Sequence, residues 1–374
     1  MTWVGIGLAA AMALVGAWLL FGDRILERSR AGKGPDGPRR PSREQFRGTA
    51  EREEEPPPPP PKKRAAIIIN PTKVEAVGAV RNRLAKVALA AGWDEPLVLE
   101  TTIEDPGFGQ TRRALAQDVD LVCALGGDGT VRAVAQEVAG TGVPLGLLPA
   151  GTGNLLARNL DLRLDDLEHA LTTAITGRNR HIDLGWAVLD PTSEQRSGAD
   201  TSASANRHGF LVIAGAGLDA TIMENTSEEL KAKVGWTAYI PAGAKGLLGD
   251  RFKATVSVDG SAPESITARG IMVGNCGRIQ GGIEIMHEAK VDDGILDVVA
   301  MTPHGLAGWV GVAANLARKK DVTNNRIHRY RGQHTLIELE APQPFQVDGD
   351  VIGEARVFSV RVDPGALIVR VPGV

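Results

Sequence analysis

The sequence predicts an α/β protein: an N-terminal domain on a parallel sheet, then a larger β-sandwich domain, with a single N-terminal transmembrane helix. Three observations predict this fold. From residue 64 to about 160, short apolar runs alternate with stretches of helical spacing, which is typical of strand–helix units in a parallel sheet. Beyond Arg180, seven or more short strand-like segments alternate with turn signals, as in an antiparallel sandwich. Residues 3–21 carry no charge.

The bulk composition limits the classes of function. The 374 residues carry a formal net charge of -3, which gives no reason to expect a nucleic-acid partner. The two cysteines, Cys123 and Cys276, cannot form a disulfide framework and suit a reducing compartment. No cysteine–histidine pattern has zinc spacing, so we do not expect zinc chemistry.

Residues 1–22 are predicted to be a transmembrane anchor. The 19 uncharged residues 3–21 would span about 28 Å as a helix, close to the thickness of a bilayer core. A cleaved signal peptide is the alternative, but it needs a basic start that residues 1–3 do not offer. Positive residues follow the segment instead, among them Arg24, Arg28 and Arg30. The positive-inside rule therefore predicts a single-pass protein of the cytoplasmic membrane with its folded domains in the cytoplasm.

Two further features accompany the predicted anchor. Four small residues would lie on one face of the anchor helix: Gly5, Ala9, Ala13 and Ala17. They allow a possible homodimer through close helix packing, although an anchor without a partner is the simpler reading. Residues 23–63 are polar and rich in Pro and Gly, and we expect a disordered linker with a stiff polyproline stretch over 56–61. Lys62, Lys63 and Arg64 could contact an anionic membrane surface or simply remain solvated.

The first folded domain is predicted over residues 64–160. Its strands are expected at 65–69, 119–125 and 143–148, and helical spacing follows each of them. Parallel strands with right-handed crossovers place their ligands beyond the carboxyl ends of the strands. The loops that follow these strands are therefore the predicted location of the functional residues.

The second predicted strand leads into a glycine-rich loop, Gly126-Gly127-Asp128-Gly129-Thr130. Glycines let the backbone approach a ligand closely, and the N-terminus of the following helix favours a phosphate group. Asp128 would repel phosphate unless it binds a cation, a ribose hydroxyl or a water on a metal, so it indicates Mg²⁺ bound with a nucleotide. A tight turn with an ordinary helix cap is the alternative for this loop alone.

A second glycine loop follows the third predicted strand, with the sequence Pro149-Ala150-Gly151-Thr152-Gly153-Asn154. Loops on consecutive strands of one sheet converge on the same crevice, so two of them make coincidence less plausible. The sequence contains no G-x-x-x-x-G-K-[ST], which excludes a Walker-type phosphate loop.

Together with Asn70-Pro71-Thr72, the two glycine loops resemble the diacylglycerol kinase catalytic domain family. That family includes bacterial diacylglycerol kinases and sphingosine kinases, with NAD kinases as more distant relatives. The resemblance covers roughly residue 64 to the C-terminus. It implies an ATP-dependent lipid kinase that binds ATP between its two domains and transfers the γ-phosphoryl group to a lipid hydroxyl, above all that of diacylglycerol. The implied nucleotide-binding residues are Asn70, Pro71, Thr72, Thr102, Gly126, Gly127, Asp128, Gly129, Thr130, Gly151, Thr152, Gly153 and Asn154.

The second domain, residues 161–374, is predicted to be the β-sandwich that binds the lipid. Its expected strands are 181–189, 209–214, 252–258, 266–273, 295–301, 335–339 and 357–362. Residues 190–207 are expected to be a hairpin insertion without catalytic residues. Gly215-Ala216-Gly217-Leu218-Asp219-Ala220 matches part of a dinucleotide fingerprint and is expected to open a helix, but no acidic residue follows at 236–249, which excludes a dehydrogenase.

An acidic segment over residues 290–297 has two readings. Composition alone favours a turn before a strand. The family resemblance implies a structural Mg²⁺ held by the Asp293 carboxylate and the main chains of Lys290 and Ile295.

Phosphoryl transfer to an alcohol requires a base near the attacking hydroxyl. The segment Gln346-Val347-Asp348-Gly349-Asp350 resembles the late Asp-Gly-Glu/Asp motif of the family, in which the last acid is that base. The resemblance assigns Asp350 as the base, with Asp348 orienting it or holding a metal through water, and Asp128 completes the catalytic set. Glu354 is the reserve candidate, and a charged hairpin tip is the alternative.

Two rival functions remain open at this level. One is another kinase of the same fold, acting on a sphingoid base or on NAD. The other is a catalytically silent regulator that binds a nucleotide or a lipid. The expected cosubstrate and cofactor are ATP and Mg²⁺, and the expected partner is a membrane lipid.

Overall fold

The computed structural model describes residues 62–197, 206–217, 251–279, 284–302 and 327–373. The predicted anchor and almost all of the predicted linker lie outside these residues, as do the middle of the predicted insertion at 190–207 and residues 218–220 of the second-domain glycine motif. The predicted helix after that motif is therefore not described.

The first half of the chain forms the predicted parallel sheet. Its strands are β1 (Ala65–Ile69), β2 (Leu97–Glu100), β3 (Leu121–Gly126) and β4 (Leu145–Pro149), in the spatial order β4-β3-β1-β2. Every residue of β1 and β3 is buried, which explains their unbroken apolar sequences. Strand β2 was not predicted, because it lies at the edge of the sheet and its four residues are only partly covered.

Helices cover both faces of this sheet. They are α1 (Val77–Ala90), α2 (Phe108–Leu115), α3 (Asp128–Val138), α4 (Leu155–Asn159) and α5 (Leu167–Thr176), and a 3-10 turn spans Pro71–Lys73. Alternate residues of β1 enter different cores: Ile68 packs in one cluster with residues of α2 and α3, and Ile67 in another with residues of α1 and α5. This two-sided coverage is what buries β1 and β3 completely.

The second half is β-rich, as predicted, and every strand pair within it is antiparallel. Its strands are β5 (Arg178–Leu189), β6 (Arg207–Phe210), β7 (Ile213–Gly217), β8 (Phe252–Val258), β9 (Glu264–Ala268), β10 (Gly270–Gly274), β11 (Leu296–Met301), β12 (Ile327–Gly332), β13 (His334–Val347) and β14 (Asp350–Val371), and a short helix α6 (Ser193–Arg196) follows β5. The segment predicted as one strand over 266–273 is two strands that meet at Arg269, and 209–214 is divided between β6 and β7.

A long hairpin of β13 and β14 connects the strands of both halves. The first part of β13 pairs with β8, and its last part pairs with β7. Strand β14 pairs with β13 and β5, and Val369 near its end pairs in parallel with Leu145 of β4. Apolar residues of several antiparallel strands, including Phe345 of β13 and Phe358 of β14, form one buried cluster. The hairpin thereby joins the parallel sheet to the β-rich half through continuous hydrogen bonding.

The predicted localisation requires correction. Among the described residues, no helix is long and apolar enough to cross a membrane. Helix α1, with 14 residues, would extend about 21 Å, whereas a bilayer core requires about 30 Å. The stretch 3–21, on which the prediction of a single-pass protein of the cytoplasmic membrane depended, lies outside the residues that the structure describes. We therefore withdraw that prediction, and the transmembrane helix is not part of the described fold.

Candidate active site

The two glycine loops meet at the carboxyl edge of the parallel sheet. The amide of Ala150 donates a hydrogen bond of 3.0 Å to the carbonyl of Gly126. A Cβ atom built on Gly151 would lie only 2.6 Å from the Cα atom of Gly127. The backbones are therefore in direct contact, and a side chain at Gly151 could not fit.

Asp128 joins the two loops. Its Oδ1 accepts a hydrogen bond of 2.6 Å from the amide of Leu155, the first residue of α4. Burial is the main cause that raises the pKa of Asp128 to about 6, and the charges of Asp348 and Asp350 raise it further, while amide hydrogen bonds lower it. The sequence predicted a residue that faces a cation or a ribose, and the structure adds a role for Asp128 as a brace between the loops.

Asn154 shapes the second glycine loop from within. It has left-handed backbone angles (φ 49°, ψ 47°) and is buried. Its side chain accepts from the amide of Gly151 at 3.1 Å and donates to the carbonyl of the same residue at 2.7 Å. Thr152 at the tip of this loop is exposed. Asn154 therefore holds the loop closed, and Thr152 is available to a ligand.

The Asn70-Pro71-Thr72 turn lies beside the first glycine loop. Asn70 Oδ1 accepts hydrogen bonds from the amide and the hydroxyl of Thr72, at 3.0 and 2.8 Å. Asn70 Nδ2 lies 3.5 Å from the hydroxyl of Thr130. Thr102 instead bonds within its own loop, where its amide donates to the carbonyl of Asp105 at 3.0 Å. The structure thus groups Asn70 and Thr72 with the glycine loops, and places Thr102 after the edge strand β2.

The Asp348-Gly349 turn closes the β13–β14 hairpin with positive φ angles at both residues, 49° and 91°. The buried carboxylate of Asp348 accepts three hydrogen bonds from consecutive amides, at 2.8 Å from Leu211, 2.8 Å from Val212 and 3.0 Å from Ile213. Burial raises the pKa of Asp348 even though these amides and Arg132 lower it. Asp348 is therefore an internal anchor that fixes the hairpin, and this supports an orienting role.

Asp350 reaches across to the first glycine loop. Its Oδ2 accepts a hydrogen bond of 2.7 Å from Arg132 Nη2, and the same oxygen would lie 3.1 Å from a Cβ atom built on Gly129. The side chain of Asp350 is 53% exposed, so a second molecule could reach it. Glu354 is exposed further along β14, where it pairs with Pro344. This position beside Gly129 distinguishes Asp350 from Glu354 as the candidate base.

Sequence reasoning did not single out Arg132. The available signal was its position in α3, three residues after Gly129 and so one turn into the helix that follows the first glycine loop. Nothing in the sequence indicates its partner, because Asp350 lies 218 residues away along the chain.

The predicted metal loop has its carboxylate already engaged. Asp293 Oδ1 accepts from the amide of Ile295 at 3.2 Å, and Oδ2 accepts from Arg331 Nη2 at 3.1 Å. A cation there would compete with the guanidinium of Arg331. Asp183 braces the loop by accepting from the amides of Gly294 and Gly365, both at 2.7 Å. A Mg²⁺ site at Asp293, Lys290 and Ile295 stays a prediction.

The glycine-loop edge offers a different setting for Mg²⁺. In the part of the chain that the structure describes, no group of three acidic, histidine or cysteine side chains could hold a metal by itself. Asp128, whose raised pKa comes partly from Asp348 and Asp350, nevertheless presents oxygen atoms of the kind that Mg²⁺ prefers. This donor set fits a Mg²⁺ ion that one or two carboxylates hold and that substrate phosphates complete.

Comparisons with known proteins agree with this architecture. The diacylglycerol kinase catalytic domain family matches residues 64–187, and the YegS C-terminal NAD kinase beta sandwich-like domain matches residues 212–371. A Pseudomonas aeruginosa (strain UCBPP-PA14) protein named "Probable lipid kinase YegS-like" is 33% identical over 310 residues, which cover 78% of this chain and 90% of that protein. A Bacillus subtilis (strain 168) protein named "Diacylglycerol kinase" is 25% identical over 293 residues, which cover 77% of this chain and 89% of that protein.

The fold has a counterpart among solved structures. A crystal structure of a diacylglycerol kinase from Bacillus anthracis str. Sterne superposes with a TM-score of 0.59 at 19% identity, over 83% of this chain and 97% of that one. At this identity the likeness supports the fold alone. The identity to the Pseudomonas protein, together with the two domain matches, confirms the family resemblance: this chain belongs to the YegS-like lipid kinase family with a diacylglycerol kinase catalytic domain.

Proposed function

We propose that this protein is an ATP-dependent lipid kinase that transfers the γ-phosphoryl group of ATP to the free hydroxyl of diacylglycerol and so forms phosphatidic acid. The observation that carries the proposal is the approach of Asp350 to Gly129, which puts a reachable carboxylate beside the glycine loop that suits a phosphate. Membership of a lipid kinase family supports the reaction class, and the choice of diacylglycerol is ours.

The phosphate-binding part of the proposed site consists mainly of backbone. Gly127 precedes α3, so the free amides at the start of that helix favour negative charge. The missing side chains at Gly127 and Gly129 leave the amides open to a phosphate group. When bound, Mg²⁺ would neutralise charge on the phosphates.

The acceptor part of the proposed site is the exposed carboxylate of Asp350. It would accept the proton of the lipid hydroxyl as that oxygen attacks the γ-phosphorus. The buried anchor Asp348 holds the turn from which Asp350 projects, so the base is fixed by hydrogen bonds rather than by a mobile loop.

A lipid acceptor requires the enzyme to work at a membrane surface. Lys62 and Lys63 are exposed at the start of the described chain. We propose that they contribute to attraction to an anionic surface, at about 1 kcal/mol each. A homodimer stays a prediction, because the residues from which it was inferred are not described.

The decisive experiment measures transfer of label from [γ-³²P]ATP with Mg²⁺ to a panel of acceptors. The panel holds vesicles of diacylglycerol, of phospholipids with a free headgroup hydroxyl and of a sphingoid base, and NAD in solution. We expect labelled phosphatidic acid from the diacylglycerol vesicles. Label in another lipid would show that this lipid, and not diacylglycerol, is the acceptor. Label in NAD would favour the rival NAD kinase. ATP binding without any transfer would favour the silent regulator.

A further inference from the structure

We infer that Arg132 is a positioning residue for phosphoryl transfer, and this inference rests on the lipid kinase function proposed above. The geometry points to a guanidinium that holds one oxygen of Asp350 over the first glycine loop and leaves the other oxygen to the acceptor hydroxyl. The contact is the hydrogen bond of 2.7 Å from Arg132 Nη2 to Asp350 Oδ2.

The two partners of this ion pair differ in burial. The side chain of Arg132 is 15% exposed, whereas that of Asp350 is 53% exposed. Pairs between two exposed side chains contribute little, because both must be ordered from water. Here packing against the protein already limits the motion of Arg132, and α3 fixes its backbone. The buried partner therefore orders the exposed one.

The position of Arg132 explains where it holds Asp350. Arg132 and Gly129 are three residues apart in α3, so they lie on neighbouring turns of one helix face. Asp350 Oδ2 is bonded to Arg132 and is also the oxygen that approaches Gly129. The arginine thus keeps the carboxylate beside the loop that we assign to the phosphates.

The charge of Arg132 also has a role at this position. Asp348 and Asp350 both raise the pKa of Asp128, so each of them repels the carboxylate of Asp128. Arg132 lowers the pKa of Asp348, as expected for a positive charge within reach of that cluster. Without Arg132, repulsion would favour rotation of the exposed Asp350 side chain towards solvent.

The hydrogen bonding of Asp350 leaves one oxygen for chemistry. Among the residues that the structure describes, only Arg132 donates to its carboxylate, and that bond uses Oδ2. The acceptor hydroxyl oxygen would form its bond to the γ-phosphorus while the bond from that phosphorus to the bridging oxygen breaks. The electron pair of that broken bond leaves with ADP, and the hydroxyl proton passes to Oδ1. The transition state of phosphoryl transfer is loose, with little bonding to the attacking and leaving oxygens. The placement of the base therefore matters more than its strength.

A double-mutant cycle tests whether Arg132 acts through Asp350. The variants are Arg132→Gln, Asp350→Asn and the combination of both, each assayed for kcat and for KM of ATP and of diacylglycerol. We expect Arg132→Gln to lower kcat about 10- to 100-fold, as for a displaced catalytic group, with KM for ATP within about twofold. The double variant should be no slower than Asp350→Asn alone, because effects through one group are not additive.

Two further variants complete the test. Arg132→Lys keeps the charge but not the planar guanidinium, and it should recover part of the lost kcat. It also replaces Arg132→Gln in the cycle if that variant fails to fold. Arg83→Gln removes an arginine from an ion pair of 2.8 Å with Glu168 between α1 and α5, two residues that we place outside the proposed site, and should leave kcat unchanged.

The outcomes separate this inference from the proposed function. An active wild type whose two variants slow transfer additively, or an Arg132→Gln variant with unchanged kcat, overturns the positioning role alone. A rise in KM for ATP without loss of kcat would mean that Arg132 binds the nucleotide, and it also overturns the role. A wild type that phosphorylates no lipid overturns the proposed function, and the inference with it.

Discussion

Asp348 and Asp350 stand two residues apart, yet their surroundings give them opposite properties. Asp348 is buried in the turn of the hairpin and is fixed by three amides, whereas Asp350 is half exposed and touches one guanidinium. A carboxylate enclosed by amides can hold a turn but cannot reach a second molecule. Pairs of acids whose environments differ in this way commonly divide structural and chemical roles.

Replacing Asp350 by Asn should slow transfer strongly and spare nucleotide binding. The substitution keeps the size of the side chain but removes the base, and loss of general-base catalysis typically costs about 100-fold or more in kcat. Binding of a fluorescent ATP analogue should change less than twofold, because the glycine loops are intact. Glu354→Gln, four residues along the same strand, is the matched control and should retain activity. Full activity in Asp350→Asn would refute the assignment.

Asp128 should make stability depend on pH in a defined direction. Its folded-state pKa of about 6 lies above its ordinary value of 3.8, so folding favours the protonated acid. Stability from this group is present below pH 4 and is lost as the pH rises towards 6. Asp128→Asn, whose carbonyl can still accept from Leu155, lacks this penalty. Without Mg²⁺ or nucleotide it should exceed the wild type at pH 7.5 by on the order of 1–3 kcal/mol.

Urea unfolding of both proteins between pH 4 and pH 8 measures this difference. The free energies of unfolding should coincide near pH 4, diverge between pH 4 and pH 6, and differ by a constant amount above pH 6, with the variant more stable. Parallel curves over the whole range would show that Asp128 titrates as an ordinary carboxylate.

For single residues, the sequence identified the functional positions better than the residues with which they form hydrogen bonds and ion pairs. The glycine loop at 126–130 was identified because its residue types and spacing suit phosphate chemistry, whereas the acids at 348–350 were assigned through the family resemblance. The hydrogen bond from Leu155 to Asp128 and the ion pair of Arg132 with Asp350 were not identified, since they join positions that are 27 and 218 residues apart, respectively. Thr102 followed from resemblance alone, and its hydrogen bonds with Asp105 stay within its own loop.

Among the elements, the two glycine loops allow a matched comparison of steric effects. A Cβ atom on Gly151 would lie 2.6 Å from the Cα atom of Gly127, whereas one on Gly127 would lie 3.6 Å from the Cα atom of Gly151. The first contact forces one backbone to move, and the second is an ordinary contact. Gly151→Ala should therefore lower the free energy of unfolding by about 1–3 kcal/mol, and Gly127→Ala by less than about 1 kcal/mol. Equal losses in thermal unfolding would argue against loop contact.

The β13–β14 hairpin should depend on Asp348 for its attachment. Asp348→Ala would leave the buried amides of Leu211, Val212 and Ile213 without their acceptor, at about 1–3 kcal/mol for each amide that no water reaches. We expect a loss of about 3 kcal/mol or more in urea unfolding. Glu354→Ala on the exposed side of β14 should change stability by less than about 0.5 kcal/mol. A small loss in Asp348→Ala would mean that water replaces the carboxylate.

Elements were predictable where burial made their sequence pattern regular. Strands β1 and β3 are buried along their whole length and read as apolar runs. Helices α2 and α5 were not predicted: α2 has only eight residues, two of its three buried residues are Gln110 and Thr111, and its apolar pattern is correspondingly weak. The division of 266–273 into β9 and β10 depends on a break at Arg269, whose amide bonds to Met301 in a different strand.

For the whole molecule, the last strand decides how the two halves depend on each other. Leu367 and Val369 of β14 are fully buried, and Val369 pairs with Leu145 of the parallel sheet. The amide of Gly140, just after α3, donates to the carbonyl of Ala366 at 2.9 Å. The sequence suggested two domains, 64–160 and 161–374, and could not show that the C-terminal strand packs against the first.

A chain that ends at Asp363 should therefore lose nucleotide binding although both glycine loops remain. The deletion uncovers β4 and removes Leu367, Val369 and Val371, which are each buried and each contribute about 1.5–3 kcal/mol. Their sum approaches the typical stability of a domain, about 5–15 kcal/mol. We expect circular dichroism of the shortened chain to show no cooperative unfolding near the melting temperature of the full chain. ATP should not shift the melting temperature of the shortened chain. Removal of residues 373–374 alone should change neither. A shortened chain that still melts cooperatively and binds ATP would show instead that the first domain folds without the last strand.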